Sequence, residues 1–255
     1  MAQGEDKKLM PITHIPKEEP MSYSLSMLVP AYNEEGLLES FIRKTVLKKL
    51  YRPLTPRWQD KAVFEFLEYY WTPWRDKILN IGSGNTRLRD DMVNMDIAKH
   101  KDVDVLGDAH QLPFRNGSFD LVFCNAVLEH LKQPWVAANE MERVLLRNGV
   151  MLIQAPFLEA VHDEYDYFRF TKAGLRSLFP NCIEIMGGVS AGCSQMLTSV
   201  VGDYPGIVAE GTRLEKPLKL LMSWLARPLQ YLPNGRGVGG ERYARGVYFI
   251  GRKTG

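Results

Sequence analysis

The stretch from Lys77 to Thr86 reads Lys-Ile-Leu-Asn-Ile-Gly-Ser-Gly-Asn-Thr, a short apolar run that leads directly into a glycine turn. A short apolar run bounded by turn residues is typical of a buried strand. The two glycines, Gly82 and Gly84, permit backbone conformations and a close ligand approach that a Cβ atom would block. We therefore expect the chain to fold around a buried strand whose carboxyl end binds a small ligand with a polar or anionic group.

Strand and helix patterns alternate after this stretch. Apolar runs predict strands at 92–95, 103–106, 119–123, 150–154, 182–186 and 244–250, and helical spacing predicts helices at 134–146 and 171–179. Such alternation predicts an α/β fold with a mostly parallel sheet that is covered on both faces. Ligands bind at the carboxyl ends of the strands in these sheets, so the residues at those ends are the functional candidates.

Length and composition limit the organisation and the partners. With 255 residues the chain can form one main domain, expected at 57–255, after a flexible polar lead at 1–22 and a strand-helix appendage at 23–56. A net charge of +2 gives no whole-chain signal for nucleic acid. Three cysteines without metal-ligand spacing indicate neither a disulfide framework nor a zinc site, and no metal is expected. Neither a signal peptide nor a membrane span is recognised, so we expect a cytoplasmic protein.

The spacing of the glycines and the following acids selects the ligand. A dinucleotide fingerprint needs a third glycine where this chain has Arg87, and an acid about 20 residues on, whereas Asp96 follows Gly82 by 14 residues. A nucleoside ligand without a pyrophosphate fits better. Amides of the turn would bind its carboxylate, Asp96 would accept from two ribose hydroxyls, and Asp108 would lie near the edge of an adenine. The ligand that fits this set is S-adenosylmethionine.

Several motifs, in order along the chain, carry a family resemblance. They occupy residues 81–84, 94–97, 107–114, 119–131, 142–145 and 148–149. Together, residues 77 to about 187 resemble a class I S-adenosylmethionine-dependent methyltransferase of the type 11 group. The resemblance implies a Rossmann-like, doubly wound, mostly parallel seven-stranded sheet with a final antiparallel strand.

The resemblance also assigns the cofactor site. It implies binding through the first turn, the end of the second strand, the loop after the third strand and the end of the fourth strand, which here are Gly82, Ser83, Gly84, Asp96, Ile97, Asp108, Ala109 and Asn125. Two positions depart from the family pattern. Asn80 stands where an acid is usual and Thr86 stands where a third glycine is usual, so we expect lowered cofactor affinity.

Two histidines are the catalytic candidates. Methyl transfer depends mostly on alignment, which contributes roughly 7–11 kcal/mol, whereas a positioned base adds about 10²–10⁴ in rate. His162, in the loop after the fifth strand, and His130, after the fourth strand, are the residues expected to accept a proton from an acceptor hydroxyl. For each of them, an ordinary packed or surface histidine remains the alternative.

The sequence limits the methyl acceptor to a class of compounds but does not identify it. Residues 166–171 resemble a methyltransferase subgroup linked to bacterial surface-polysaccharide synthesis, which implies O-methylation of a small molecule, a saccharide or a lipid-linked saccharide. Residues 29–35 resemble the opening strand and turn of family 2 glycosyltransferases. The alternative function is therefore a non-catalytic or degenerate methyltransferase-fold module that partners a glycosyltransferase.

An amphipathic insertion is expected at about 213–232. It combines leucines and Trp224 with four basic residues and one acidic residue. Two interpretations stay open: a helix packed on the sheet, or a basic helix that lies on the anionic inner face of a membrane. We find no basic-aromatic stripe of a nucleic-acid binder, and the oligomeric state is not predicted.

Overall fold

The computed structural model describes residues 77–85, 87–234 and 238–254. The predicted polar lead at 1–22, the glycosyltransferase-like appendage at 23–56, the first part of the main domain and Thr86 lie outside these residues.

One seven-stranded sheet organises the described residues. Its strands are β1 (Ile78–Ile81), β2 (Met92–Asp96), β3 (Val105–Leu106), β4 (Phe119–Asn125), β5 (Leu145–Pro156), β6 (Cys182–Ala191) and β7 (Gly246–Lys253). The strand order is β3-β2-β1-β4-β5-β7-β6. Only β7 runs against its neighbours, since it pairs antiparallel with both β5 and β6 while the other pairs are parallel. The predicted fold class, a mostly parallel doubly wound sheet with a final antiparallel strand, is confirmed.

Five α-helices accompany the strands within the described residues: α1 (Pro134–Val144), α2 (Lys172–Ser177), α3 (Cys193–Val208), α4 (Glu215–Ala226) and α5 (Val238–Arg242). Pro134 starts α1, where the missing amide hydrogen costs nothing. Thr171 caps α2 by accepting a hydrogen bond from the Gly174 amide at 3.0 Å. The helix predicted to reach residue 146 ends at Val144, because Leu145 is extended and pairs with Phe119 of the sheet.

The central strands are buried on both faces of the sheet. Leu79 and Ile81 of β1 belong to the larger apolar cluster, which also contains residues of α1 and α2. Ile78 belongs to a second cluster with residues of β2, β4, β5 and β7. Alternate side chains of one strand thus enter two cores, which explains why the sequence of β1 is a continuous apolar run rather than an alternating pattern.

The helical insertion before β7 is larger than predicted and has a different packing partner. It is a hairpin in which α4 packs mainly against α3, followed by a 3-10 turn at Arg227–Tyr231. The interpretation of 213–232 as a helix packed on the sheet is therefore wrong. The two helices approach closely at Gly206 of α3, where a Cβ atom would stand 3.1 Å from Cβ of Lys219 on α4.

Within the described residues, no helix combines the length and the apolar character needed to cross a membrane.

Candidate functional site

A crevice is expected where the strand order reverses. The chain runs from β1 outward to β2 and β3, and then returns to place β4 on the other side of β1. The loops that follow β1 and β4 therefore leave the sheet edge in opposite directions, which opens a ligand site between them. The turn at Gly82 and the end of β4 at Asn125 lie at this point.

The glycine turn is held to the end of β2. The amides of Gly82 and Ser83 both donate to the Met95 carbonyl oxygen, at 2.8 and 3.2 Å. The Gly84 amide donates to Oδ2 of Asp96 at 2.8 Å. These three amides, which we expected to meet a ligand carboxylate, are directed within the protein.

The two glycines of the turn are required for different reasons. Both have positive φ angles, 67° at Gly82 and 55° at Gly84. A Cβ atom at Gly82 would overlap with Cγ2 of Val127, whereas a Cβ atom at Gly84 would meet no atom of the described residues within 4 Å. Gly82 therefore serves packing against the segment after β4, and Gly84 faces open space in which a ligand can lie.

Two buried oxygen atoms at the crevice have no hydrogen-bond partner among the residues that the structure describes. They are Oγ of Ser83 and Oδ1 of Asn125, at the carboxyl ends of β1 and β4. Buried polar atoms are normally paired, so an unpaired one indicates a ligand, an ion or a water at that position. Directly after Asn125, Ala126 has a φ angle of 54°, an uncommon conformation for a residue with a side chain.

Asp96 and Ile97 form the end of the crevice at β2. Each Asp96 carboxylate oxygen accepts one backbone hydrogen bond, Oδ2 from Gly84 and Oδ1 from Ala98 at 2.9 Å. A carboxylate has about four lone-pair sites, so both oxygens can still accept from a ligand. The Ile97 side chain is 77% exposed and offers an apolar surface beside this carboxylate.

Asp108 and Ala109 lie in the loop after β3. The Asp108 carboxylate accepts from the His110 amide at 2.8 Å and pairs with His110 Nδ1 at 2.7 Å, and these hydrogen bonds hold its pKa below the ordinary value. Ala109 is buried. Asp108 and Ala109, the residues predicted to lie near the adenine, therefore belong to an ordered loop.

Two charged residues of α1, Glu140 and Arg143, hold the loop after β3 in place by hydrogen bonds. Sequence reasoning did not predict this contact. Arg143 donates to the carbonyl oxygens of Leu112 and Phe114, at 3.0 and 2.8 Å. Glu140 pairs with Arg143 and accepts from the Leu112 amide at 2.8 Å. The available signal was the charged pair on one face of the predicted helix, three residues apart.

Asn80, which departs from the family pattern, forms its side-chain hydrogen bond within the sheet. Its side chain is buried, and its Nδ2 donates to Oδ1 of Asn94 on β2 at 3.0 Å. Asn94 in turn donates its backbone amide to Oδ2 of Asp104 and its side-chain Nδ2 to the Asp102 carbonyl oxygen, each at 2.8 Å. Asn80 thus links β1 to β2 rather than extending toward the crevice.

The two histidines proposed as bases lie together. The rings of His130 and His162 are 5.1 Å apart and nearly perpendicular. Beneath them lies Glu129, whose side chain is fully buried and whose two carboxylate oxygens have no hydrogen-bond partner among the described residues. Burial raises the pKa of Glu129 to about 8. Sequence reasoning did not single out Glu129, although the motif at 119–131 contains this acid.

An arginine-centred network orders the loop that carries His162. Arg169 pairs with the Asp166 carboxylate and donates to the Glu159 and Ala160 carbonyl oxygens, at 3.0 and 2.9 Å. The hydrogen bond from Arg169 lowers the pKa of Asp166 to about 2. The Asp-Tyr-Phe-Arg motif of 166–169 therefore has a structural role in shaping this loop.

Comparison with known proteins finds a domain match over part of the chain. Residues 85–153 match the sequence family described as "Methyltransferase domain", and no curated protein matches the chain. Among solved structures, a phosphoethanolamine N-methyltransferase 2 from Haemonchus contortus is 14% identical with a TM-score of 0.48, over 76% of this chain. This chain spans only 52% of that enzyme.

Two further solved structures are similar over most of their length. The YcgJ protein from Bacillus subtilis is 14% identical, with a TM-score of 0.48, over 76% of this chain and 99% of that protein. The [4+2]-cyclase SpnF is 13% identical, with a TM-score of 0.46, over 82% and 94%. These TM-scores are below 0.5, so the similarity to solved structures carries no argument about this chain. The domain match over residues 85–153 is the finding that bears on its family.

The residues at the crevice fit the cofactor of such domains. The unpaired Ser83 and Asn125 oxygens, the open space at Gly84 and the exposed Ile97 side chain provide polar and apolar contacts for a nucleoside with an amino-acid end. Residues 85–153 therefore match a methyltransferase domain, and the sheet order agrees with the fold that the sequence predicts for it.

Proposed function

We propose that the protein transfers a methyl group from S-adenosylmethionine to a hydroxyl group of a small-molecule or saccharide acceptor. The observation that carries the proposal is the pairing, at one edge of the sheet, of a crevice for the cofactor with the adjacent imidazoles of His130 and His162. The polar atoms of the crevice suit the donor, and the two imidazoles suit an acceptor that must lose a proton.

Each crevice residue has a proposed role toward the cofactor. Ser83 and Asn125 hydrogen-bond the amino-acid end through their unpaired oxygens. Asp96 accepts from the ribose hydroxyls with its remaining lone pairs, and Ile97 packs on the adenine ring. Asp108 and Ala109 bound the adenine edge on the loop that Arg143 fastens, while Gly82 and Gly84 shape the turn.

The acceptor side supplies orientation and a proton acceptor. When bound, S-adenosylmethionine would supply an electrophilic methyl group to the acceptor oxygen, and its sulfur would keep the electron pair of the broken carbon-sulfur bond. The hydroxyl proton passes to an imidazole nitrogen. His162, with a side chain 43% exposed, is the accessible candidate. The Nδ1 atom of His130 faces the Tyr165 carbonyl oxygen at 3.2 Å and donates to it, which leaves Nε2 to accept.

A saccharide acceptor is supported by aromatic side chains near the histidines. Tyr165 and Tyr167 are exposed on the loop after β5, and Trp135 is exposed at the start of α1, where its ring lies 6.3 Å from that of Phe168. Exposed aromatic rings with a polar edge suit the apolar faces and hydroxyl groups of a sugar. This agrees with the resemblance of 166–171 to methyltransferases of surface-polysaccharide synthesis.

A cofactor-binding measurement separates an enzyme from a non-catalytic module. We expect calorimetry to detect S-adenosylmethionine binding, and Asp96→Ala to weaken it at least about tenfold, by loss of charge-assisted hydrogen bonds. Asp91→Ala, a change at an exposed acid outside the crevice, is the matched control. A wild-type chain that binds no cofactor would instead support the module that partners a glycosyltransferase.

The base assignment needs a single-turnover measurement. Acceptors would first be identified by mass spectrometry of a cell extract that is incubated with labelled S-adenosylmethionine. The double variant with His130→Gln and His162→Gln should then transfer methyl at least about 100-fold more slowly, while His100→Gln should match the wild type. Full-rate transfer by the double variant would disprove the base assignment.

Peripheral membrane contact is a second proposal, which concerns the α3–α4 hairpin. Its outer surface exposes large apolar side chains, among them Tyr204, Ile207, Leu221, Trp224 and Leu225. Residues 213–232 contain four basic residues and one acidic residue. An apolar surface with a basic surround suits the anionic inner face of a membrane, and a lipid-linked saccharide would be an acceptor there.

Flotation with liposomes that contain 30% anionic lipid is expected at low salt. Absence of flotation at low and high salt would exclude this contact.

A further inference from the structure

The fully buried Glu129 carboxylate requires a partner. Both of its oxygens lack a hydrogen bond among the described residues, and its side chain has no exposed surface. Leaving an acidic group buried and unpaired is costly, so such groups are normally hydrogen-bonded, paired with a cation or bound to a metal ion. The base function proposed for the neighbouring histidines does not account for this carboxylate.

Two imidazole nitrogens and this carboxylate lie within reach of one ion. One ligand atom from each of Glu129, His130 and His162 can be chosen so that all three lie within 4.8 Å of one another. The pair formed by His130 Nε2 and Glu129 Oε1 is 3.9 Å apart. Donor atoms bound to one ion at about 2.0–2.2 Å stand roughly 3–3.5 Å from each other, so a separation of 4.8 Å would have to shorten by roughly 1.3–1.8 Å. His162 lies on an exposed loop and can make this movement.

The hydrogen bonds of the two rings leave a lone pair on each. His130 Nδ1 faces the Tyr165 carbonyl oxygen at 3.2 Å. His162 Nδ1 faces Oδ2 of Asp166 at 3.1 Å and the Ala160 carbonyl oxygen at 3.3 Å. An Nδ1 hydrogen donated to an oxygen fixes the tautomer in which Nε2 carries the lone pair. Metal-binding histidines show this arrangement, in which the second nitrogen donates to a carboxylate or a carbonyl group.

The backbone holds the two ligand-bearing segments together. The Tyr167 amide donates to the Glu129 carbonyl oxygen at 2.7 Å, which joins the loop after β5 to the 3-10 turn at Leu128–His130. The His162 amide donates to Asp166 at 3.1 Å, and Asp166 is itself paired with Arg169. The backbone positions of the two segments are thus set by contacts that do not depend on an ion.

We propose that Glu129, His130 and His162 bind one divalent first-row transition-metal ion on the acceptor side of the cofactor crevice. Two imidazoles and one carboxylate suit Zn²⁺, Mn²⁺, Co²⁺ or Fe²⁺ and leave coordination positions open. Mg²⁺ and Ca²⁺ prefer oxygen ligands and fit this set poorly. The sequence predicted no metal because its three cysteines lack metal-ligand spacing, and these ligands come from two loops far apart in the chain.

The role of the ion rests on the proposed function, whereas its binding does not. An acceptor hydroxyl at an open coordination position would have a lowered pKa, so that its proton leaves to solvent water and its oxygen is aligned for methyl transfer. The ion would then take the place of the imidazoles as the group that activates the hydroxyl, because their lone pairs are bound to it.

Metal binding is measured on the full chain without cofactor or acceptor. The protein carries Cys193→Ser so that its partly exposed thiol does not compete. After treatment with a chelator, Co²⁺ is titrated and followed by visible absorption, and Zn²⁺ is titrated by calorimetry. We expect one ion per chain, and an affinity at least about tenfold lower for His162→Gln and for Glu129→Gln. His100→Gln, which removes an imidazole outside the cluster, should bind as the parent does.

Each outcome bears on the inference. Because His162 is partly exposed, its variant should fold even if Glu129→Gln does not. The inference is overturned if the parent binds no ion, or if His162→Gln binds as tightly as the parent. Loss of affinity in His100→Gln equal to that in His162→Gln would also overturn it. Binding of S-adenosylmethionine by the metal-free chain is recorded separately, so a failure of the proposed function is distinguishable from a failure of the metal site.

Discussion

Alanine substitutions at the two glycines of the first turn should have different consequences. Both positions have φ angles in the left-handed region, 67° at Gly82 and 55° at Gly84, which costs a residue with a side chain about 1–2 kcal/mol. Only at Gly82 does the new Cβ atom also overlap with Cγ2 of Val127. Overpacking of this kind adds about 1–3 kcal/mol.

The free energy of unfolding, measured by urea titration at 25 °C, should therefore fall by about 2–5 kcal/mol in Gly82→Ala and by about 1–2 kcal/mol in Gly84→Ala. Cofactor affinity should show the opposite ranking among folded variants. The Gly84 Cβ atom enters open space that the cofactor would use, so we expect at least about tenfold weaker binding of S-adenosylmethionine in Gly84→Ala, a loss of about 1.4 kcal/mol.

The double variant with Val127→Ala tests the steric origin of the larger effect. Removal of Cγ1 and Cγ2 relieves most of the overlap, although the Val127 Cβ atom would remain 3.3 Å from the new methyl group. The penalty of Gly82→Ala should be smaller by about 1–2 kcal/mol in the Val127→Ala background than in the wild type. Equal penalties in both backgrounds, or equal losses in the two single glycine variants, would refute the reasoning.

Two further predictions concern ionisation and thiol reactivity. The Arg143 guanidinium holds the pKa of Glu140 below its ordinary value, so this pair stabilises the fold above the ordinary carboxyl pKa and the contribution is lost as the pH falls through the lowered pKa. Glu140→Gln should thus cost about 1 kcal/mol at pH 7 and progressively less in urea titrations below pH 4.5; a pH-independent loss would contradict the pairing. A thiol reagent should modify only Cys193 in the native chain, since burial raises the pKa of Cys124 and raises the pKa of Cys182 to about 12. Rapid labelling of three thiols without denaturant would contradict this.

The fold was predictable because its pattern is local and strong. The apolar run of β1, the proline that starts α1 and the Thr171 cap of α2 are each determined by a few neighbouring residues. The sequence pattern after Gly188 was weaker. The helix α3 and its pairing with α4 were not predicted, because small residues such as Gly202 and Gly206 are poor helix formers and act only when another helix lies against them.

The sequence allowed us to predict which residues belong to the candidate site, but not which hydrogen bonds they form. Sequence order placed Asp96, Asp108 and Asn125 at the carboxyl ends of strands, since parallel strands bring those ends to one edge. No local pattern could show that Asp96 caps the glycine turn, or that Asn80 would be used by its neighbour on β2. Such hydrogen bonds depend on the register between strands.

By itself the sequence determined the α/β class, the strand that leads into the glycine turn and the kind of ligand that this turn serves. These properties follow from short-range residue types and spacings. Only the tertiary structure decided that Gly82 is needed for Val127 while Gly84 leaves room for a ligand, and that Glu129 lies buried beside His130 and His162. These are distances between segments separated by more than thirty residues, and they are set when the sheet assembles and its loops pack.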